Sequence, residues 1–128
     1  MRYDPDHEPD RASWFGLSEG ERIALVAEYH RRAGIKLPNQ QAHAAMHVVV
    51  ESQAMMGDET LVPKTLARLM GEGLDRHDAV HAIASVLSGV MFQDVKECGD
   101  DIKAVYARQL AALTAEKWCA RADEGTDP

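Results

Sequence analysis

The chain has 128 residues, is 45% hydrophobic and only 5% aromatic, and carries a formal charge of −7 from 14 Lys and Arg against 21 Asp and Glu. That length supports one domain, 1–128, with a core of its own, and an apolar set rich in Ala, Leu, Val and Met favours helix over sheet. The acidic balance argues against nucleic acid and anionic membrane surfaces, which ask for basic faces, and no apolar run approaches the roughly 18 residues of a spanning helix.

The first dozen residues, with Asp4, Pro5, Asp6, Glu8, Pro9 and Asp10, are acidic and broken by proline. They lack the basic start and apolar run of a signal peptide and are expected to form a flexible polar arm over about residues 1–12. Trp14, Phe15 and Leu17 are expected to fold back onto the body and anchor that arm. Ser18 and Glu21 stand at the spacing of a capping box and start a first helix. Ile23, Val26, Ala27, His30 and Ala33 follow at helical spacing, with His30 in the middle of the apolar arc, and Gly34 ends the run.

Asn39 is the expected N-cap of a second helix from Gln40 to about Met56, apolar around most of its circumference and so an inner helix. Its polar exceptions are His43, His47, Glu51 and Gln53. Pro63 opens a short third helix to Glu72, and Asp75 caps a fourth that runs through Ala79, Val80, Ile83, Leu87 and Val90 towards Lys96. After a turn at Cys98, Gly99 and Asp100, a fifth helix covers about 101–121, and an acidic tail occupies 122–128. The expected architecture is a compact all-α bundle of about five helices, four longer and one short. Cys98 and Cys119, far apart and without C-x-x-C spacing, are expected as reduced thiols in a cytoplasmic protein.

The chemistry lies in four of the six histidines. His43 and His47, then His77 and His81, are each four residues apart, which places both imidazoles of a pair on one helix face. Neutral imidazole is the commonest side-chain ligand of zinc, iron, copper and nickel, and two rings at this spacing can converge on one ion. If the two helices ran parallel, both pairs would sit at one end of the bundle. Glu51 extends the first pair by another turn, as a ligand at the edge of the site or as an outer carboxylate holding an imidazole N–H. His30 is a fifth candidate ligand. Helix N-termini disfavour a cation by about 0.3–1 kcal/mol each. Coordination, on the order of 10 kcal/mol, outweighs that. No G-x-S-x-G, P-loop or G-x-G-x-x-G motif is present, and the short helical pair around Gly73 lacks the basic surface of a DNA-reading helix.

The run Asn39, His43, His47, Glu51, Gln53, followed by His77, Asp78 and His81, resembles a small uncharacterised bacterial family, domain of unknown function 1841. The resemblance spans about 45 residues, Asn39 to Leu87. It implies that the two H-x-x-x-H helices belong together, and it implies no activity.

Two readings follow. In the first, the protein holds one zinc or iron ion per chain through His43, His47, His77 and His81, with Glu51 accessory and no organic cofactor. Four imidazoles close a tetrahedral site and favour binding without turnover. An open position would instead allow metal-assisted hydrolysis or redox chemistry. In the second, the protein is a non-enzymatic interaction module, a homo-oligomer, whose histidines are hydrogen-bonded polar groups of the core.

Overall fold

Side-chain caps start the helices where the sequence places them. The Ser18 hydroxyl accepts the Glu21 N–H at 3.1 Å while Glu21 accepts the Ser18 N–H at 2.9 Å, closing the capping box. Asn39 accepts the Ala42 N–H at 3.0 Å, and Asp75 accepts the Asp78 N–H at 2.8 Å. Gly34, at φ 75°, takes the left-handed turn that ends the first long helix.

The computed structural model describes residues 2–35, 39–57, 60–92 and 102–123. Among these the chain is all-helical and without a strand, in the order α1 (Arg11–Phe15), α2 (Glu19–Arg32), α3 (Gln40–Ala54), α4 (Val62–Gly71), α5 (Arg76–Phe92), α6 (Ile102–Ala112) and α7 (Ala115–Asp123). The expected turn at Cys98, Gly99 and Asp100, the run towards Lys96, any proximity of the two cysteines, and residues 124–128 of the tail lie outside the described residues.

The all-helical expectation holds, but the described residues form seven helices rather than about five. Asp10 caps a short α1 by accepting the Ser13 N–H at 3.0 Å. The expected fifth helix breaks at Leu113 and Thr114, because α4 reaches across to satisfy the backbone groups that the break exposes. Arg68 donates to the carbonyls of Leu110 and Leu113 at 3.0 and 2.7 Å, and Glu72 accepts the Ala115 N–H at 2.9 Å. Arg68 and Glu72 are themselves paired at 2.7 Å. Thr114 then caps α7 by accepting the Lys117 N–H.

Helix α3 packs on α2, α4 and α5, and α5 packs on α4 and α6 as well. Ala79, Val80, Ala82, Ile83, Ala84, Leu87 and Val90 are all buried, so α5 is at least as deep an inner helix as α3. One apolar cluster joins Val50, Leu66, Leu69, Ile83, Leu110 and Trp118; a second gathers Tyr3, Trp14, Val26, Ala44, Val48 and Met55.

The expected N-terminal anchor is borne by Trp14, fully buried with its indole N–H donating to Ser52 at 3.0 Å. Phe15 is corrected to an exposed residue, its ring faced by the guanidinium groups of Arg11 and Arg22. The arm itself places Tyr3 and Pro5 in the interior.

The Arg68 bridge gives a direct test of the α6–α7 corner. Arg68→Ala leaves two helix-end carbonyls without their cationic donor and should destabilise the protein by about 2 kcal/mol. Urea unfolding should show a lower midpoint at an unchanged slope.

Candidate metal centre

Helices α2, α3 and α5 bring five imidazoles together. His30 stands in the last turn of α2, His43 and His47 in the first half of α3, and His77 and His81 in the first two turns of α5. Within the two pairs, ring centroids are 4.7 Å apart for His43 and His47 and 4.6 Å for His77 and His81, as the four-residue spacing requires. Between helices, His30 lies 4.8 Å from His43 and 5.0 Å from His47, and His47 lies 4.7 Å from His81.

One ring nitrogen from each of His30, His47, His77 and His81 falls within 4.8 Å of the other three. Ligands of a tetrahedral ion with bonds of about 2.05 Å stand about 3.3 Å apart, so modest side-chain rotation closes this set around an ion. His43 presents Nε2 at 3.0 Å from Nε2 of His81, near the same spacing. The four histidines singled out by their spacing therefore do meet. The group of four that converges within 4.8 Å, however, includes His30, with His43 alongside His81.

The pairing runs in opposite order along the two helices. His43 meets His81, whereas Glu51, two turns further along α3, meets Arg76 at the start of α5. The helices are antiparallel here, which corrects the parallel arrangement entertained from the matched positions of the two pairs. His30, in the last turn of α2, approaches from a helix C-terminus, whose negative partial charge favours a cation.

His47 is fully buried and His30 is 1% exposed. Nε2 of His47, Nε2 of His77 and both ring nitrogens of His30 are buried without a hydrogen-bond partner. The Val26 carbonyl one turn back favours protonated His30 slightly but completes no hydrogen bond of good geometry with it. A buried polar atom left in this state costs about 1–3 kcal/mol, and natural interiors contain few. Burial first, then the neighbouring imidazoles, push His30 down to about 4 and His81 to about 3, and hold His47 well below its ordinary value. These rings are therefore neutral at pH 7, the form that ligates.

Glu51 is fully buried, but its oxygens face away from this duty. Arg76 donates to both of them, at 2.7 and 2.9 Å, and the Tyr3 hydroxyl donates to Oε2 at 2.6 Å. The same hydroxyl lies 3.4 Å from Nδ1 of His47. Glu51 thus reaches the histidines through Tyr3 rather than directly. Arg76 also donates to the carbonyl of Pro5 at 2.9 Å, which draws the N-terminal arm over the site. Burial and then the charge of Glu51 raise the Tyr3 phenol well above its ordinary value, so it keeps its proton.

Sequence reasoning missed both Tyr3 and Arg76. A carboxylate on a helix apolar nearly all round requires a buried cation. Arg76, next to His77, was the signal for it; the place of Tyr3 had no local signature.

Compared with family models, with curated proteins and with solved structures, the chain matches none.

The depressed imidazoles set a pH dependence. In the folded, metal-free protein they stay neutral down to about pH 4, while in the unfolded chain they take up protons below about 6.5. The unfolded state then binds more protons, so stability is complete above pH 6.5 and falls as the pH drops towards 4. Urea unfolding of metal-free protein should show a midpoint that is level from pH 7.5 to about 6.5 and then falls towards pH 5, above the range where carboxylates titrate.

Proposed function

We propose that the protein is a metal-binding helical domain that holds one zinc or ferrous ion per chain on imidazole nitrogens, without turnover. His47, His77 and His81 are the common ligands. His30 supplies the fourth, and His43 lies close enough to His81 to replace it. The observation that carries this reading is a group of four histidines on three helices, convergent within 4.8 Å, in which buried ring nitrogens of His30, His47 and His77 are left without hydrogen-bond partners. Histidines serving as hydrogen-bonded core groups would be paired to carbonyls or carboxylates, and these nitrogens are not.

The donor chemistry supports the choice of ion. Calcium and magnesium take oxygen ligands, and the fully buried carboxylate beside the cluster, Glu51, is committed to Arg76 and Tyr3. Imidazole suits borderline transition metals. Four neutral nitrogens complete a tetrahedral shell and leave no open position for water or substrate, which favours a structural or storage role over hydrolysis. Among the described residues no helix is long and apolar enough to cross a membrane.

Elemental analysis of protein purified without a histidine tag, stripped and then incubated with zinc, should give close to one ion per chain. Zinc at a hundred times its dissociation constant should add about 2.7 kcal/mol and raise Tm by roughly 10 °C. His47→Ala and His81→Ala should each abolish both effects while far-UV circular dichroism stays helical; His43→Ala should only weaken them. A stoichiometry near zero after incubation with zinc and with ferrous ion would sink the proposal.

A further inference from the structure

The geometry points to Tyr3 as a positioning residue of the metal centre, locking His47 in the tautomer that offers Nε2 to the ion. This inference rests on the metal-binding reading and deepens it. The phenol has one proton, and that proton is committed to Glu51 Oε2 at 2.6 Å. Glu51 is in turn held by both arms of the Arg76 guanidinium. Towards His47 the hydroxyl can therefore act only as an acceptor, and at 3.4 Å it accepts from Nδ1–H. A neutral imidazole protonated at Nδ1 carries its lone pair on Nε2, the nitrogen of His47 that is buried without a partner.

The order Arg76, Glu51, Tyr3, His47 is a directed chain in which each group fixes the next. It reproduces with an interposed phenol what a carboxylate does directly for many metal-bound histidines. Its outermost link also ties down the arm, because Arg76 holds the Pro5 carbonyl two residues beyond Tyr3. An N-terminal residue remote in sequence from every histidine of the cluster thereby becomes part of the ligand shell's support.

Tyr3 also packs against Trp14 and Tyr29, with ring centroids 6.1 and 5.8 Å away, and that contact alone would stabilise the arm. Tyr3→Phe separates the two roles, since it keeps the ring and removes the hydroxyl. The experiment titrates metal-free wild type, Y3F and Tyr106→Phe with Co(II), following the visible d–d absorption and measuring affinity by chelator competition. Tyr106 is the control: its hydroxyl donates to Gln53 at 3.0 Å, outside the histidine cluster.

Y3F should bind Co(II) about 10–100-fold more weakly than wild type, with an altered d–d spectrum, while Y106F matches wild type in both. Equal affinity and spectrum in Y3F and wild type would overturn the role of Tyr3 and leave the metal centre standing. Equal losses in Y3F and Y106F would overturn it too, as general loosening. Wild type that binds no Co(II) would remove the metal reading itself, and this inference with it.

Discussion

The ion pair between Glu51 and Arg76 is the constraint on which the interior depends. Its side chains are 0% and 8% exposed, so both charges have left water at a cost of several kcal/mol each. Two N–H···O bonds and the Tyr3 hydroxyl recover that cost only in one geometry. An apolar pair of the same volume would hold two helices together as well, so the ion pair contributes something besides stability. It fixes alignment. Sliding α3 by one residue along α5 turns its face by about 100° and takes the carboxylate off the guanidinium fork. The alignment that keeps the fork is the one that sets His43 against His81 and His47 among the rings of α2 and α5.

That alignment carries a penalty elsewhere. A core of Leu and Val at the five histidine positions would pack without orphaned polar atoms and without pH sensitivity. Instead the centre of the molecule holds imidazoles with buried, unpartnered nitrogens, while the rest of the interior obeys ordinary rules: capped helices, an apolar cluster on each side, and helix ends at the α6–α7 corner satisfied by Arg68 and Glu72. Local violation of otherwise consistent packing is the mark of a functional site. The two apolar clusters supply the stability that such a site consumes.

Much of this was legible in the sequence, and what was not has specific causes. The helix starts at Ser18, Asn39 and Asp75 were readable because a cap is a local bond between residues three apart. The H-x-x-x-H pairs were readable for the same reason, and His30 was placed by its position on an apolar arc. The break at Leu113 and Thr114 was hidden, since no glycine or proline marks it and its partners lie on α4, more than forty residues away. The helix directions were hidden as well, because matched positions in two helices do not reveal which way either runs. Glu51 was recognised as relevant but given the wrong neighbour. Its wheel position says which face it shares with His47; only the tertiary arrangement says that Tyr3 stands between them.

The charge balance narrows what the cage can hold. An ion bound by neutral imidazoles keeps its full charge, and the nearest buried charges, Glu51 and Arg76, cancel each other. Compensation comes instead from outside the cage. Tyr29 packs edge-on to His77 with ring centroids 5.6 Å apart, and after burial it is the carboxylates of Asp6, Asp4 and Asp75 that raise its hydroxyl above the ordinary value. Those carboxylates act on Tyr29, whose ring packs against His30 as well as His77, and an acidic rim of this kind draws cations inward. Remote, partly screened charges stabilise a dication less than a ligating carboxylate or thiolate would, and they fall further short for a trication. A nitrogen-only cage of this kind would favour the lower oxidation state of a redox-active metal, and a dication with no second state to reach would ask least of the surrounding protein.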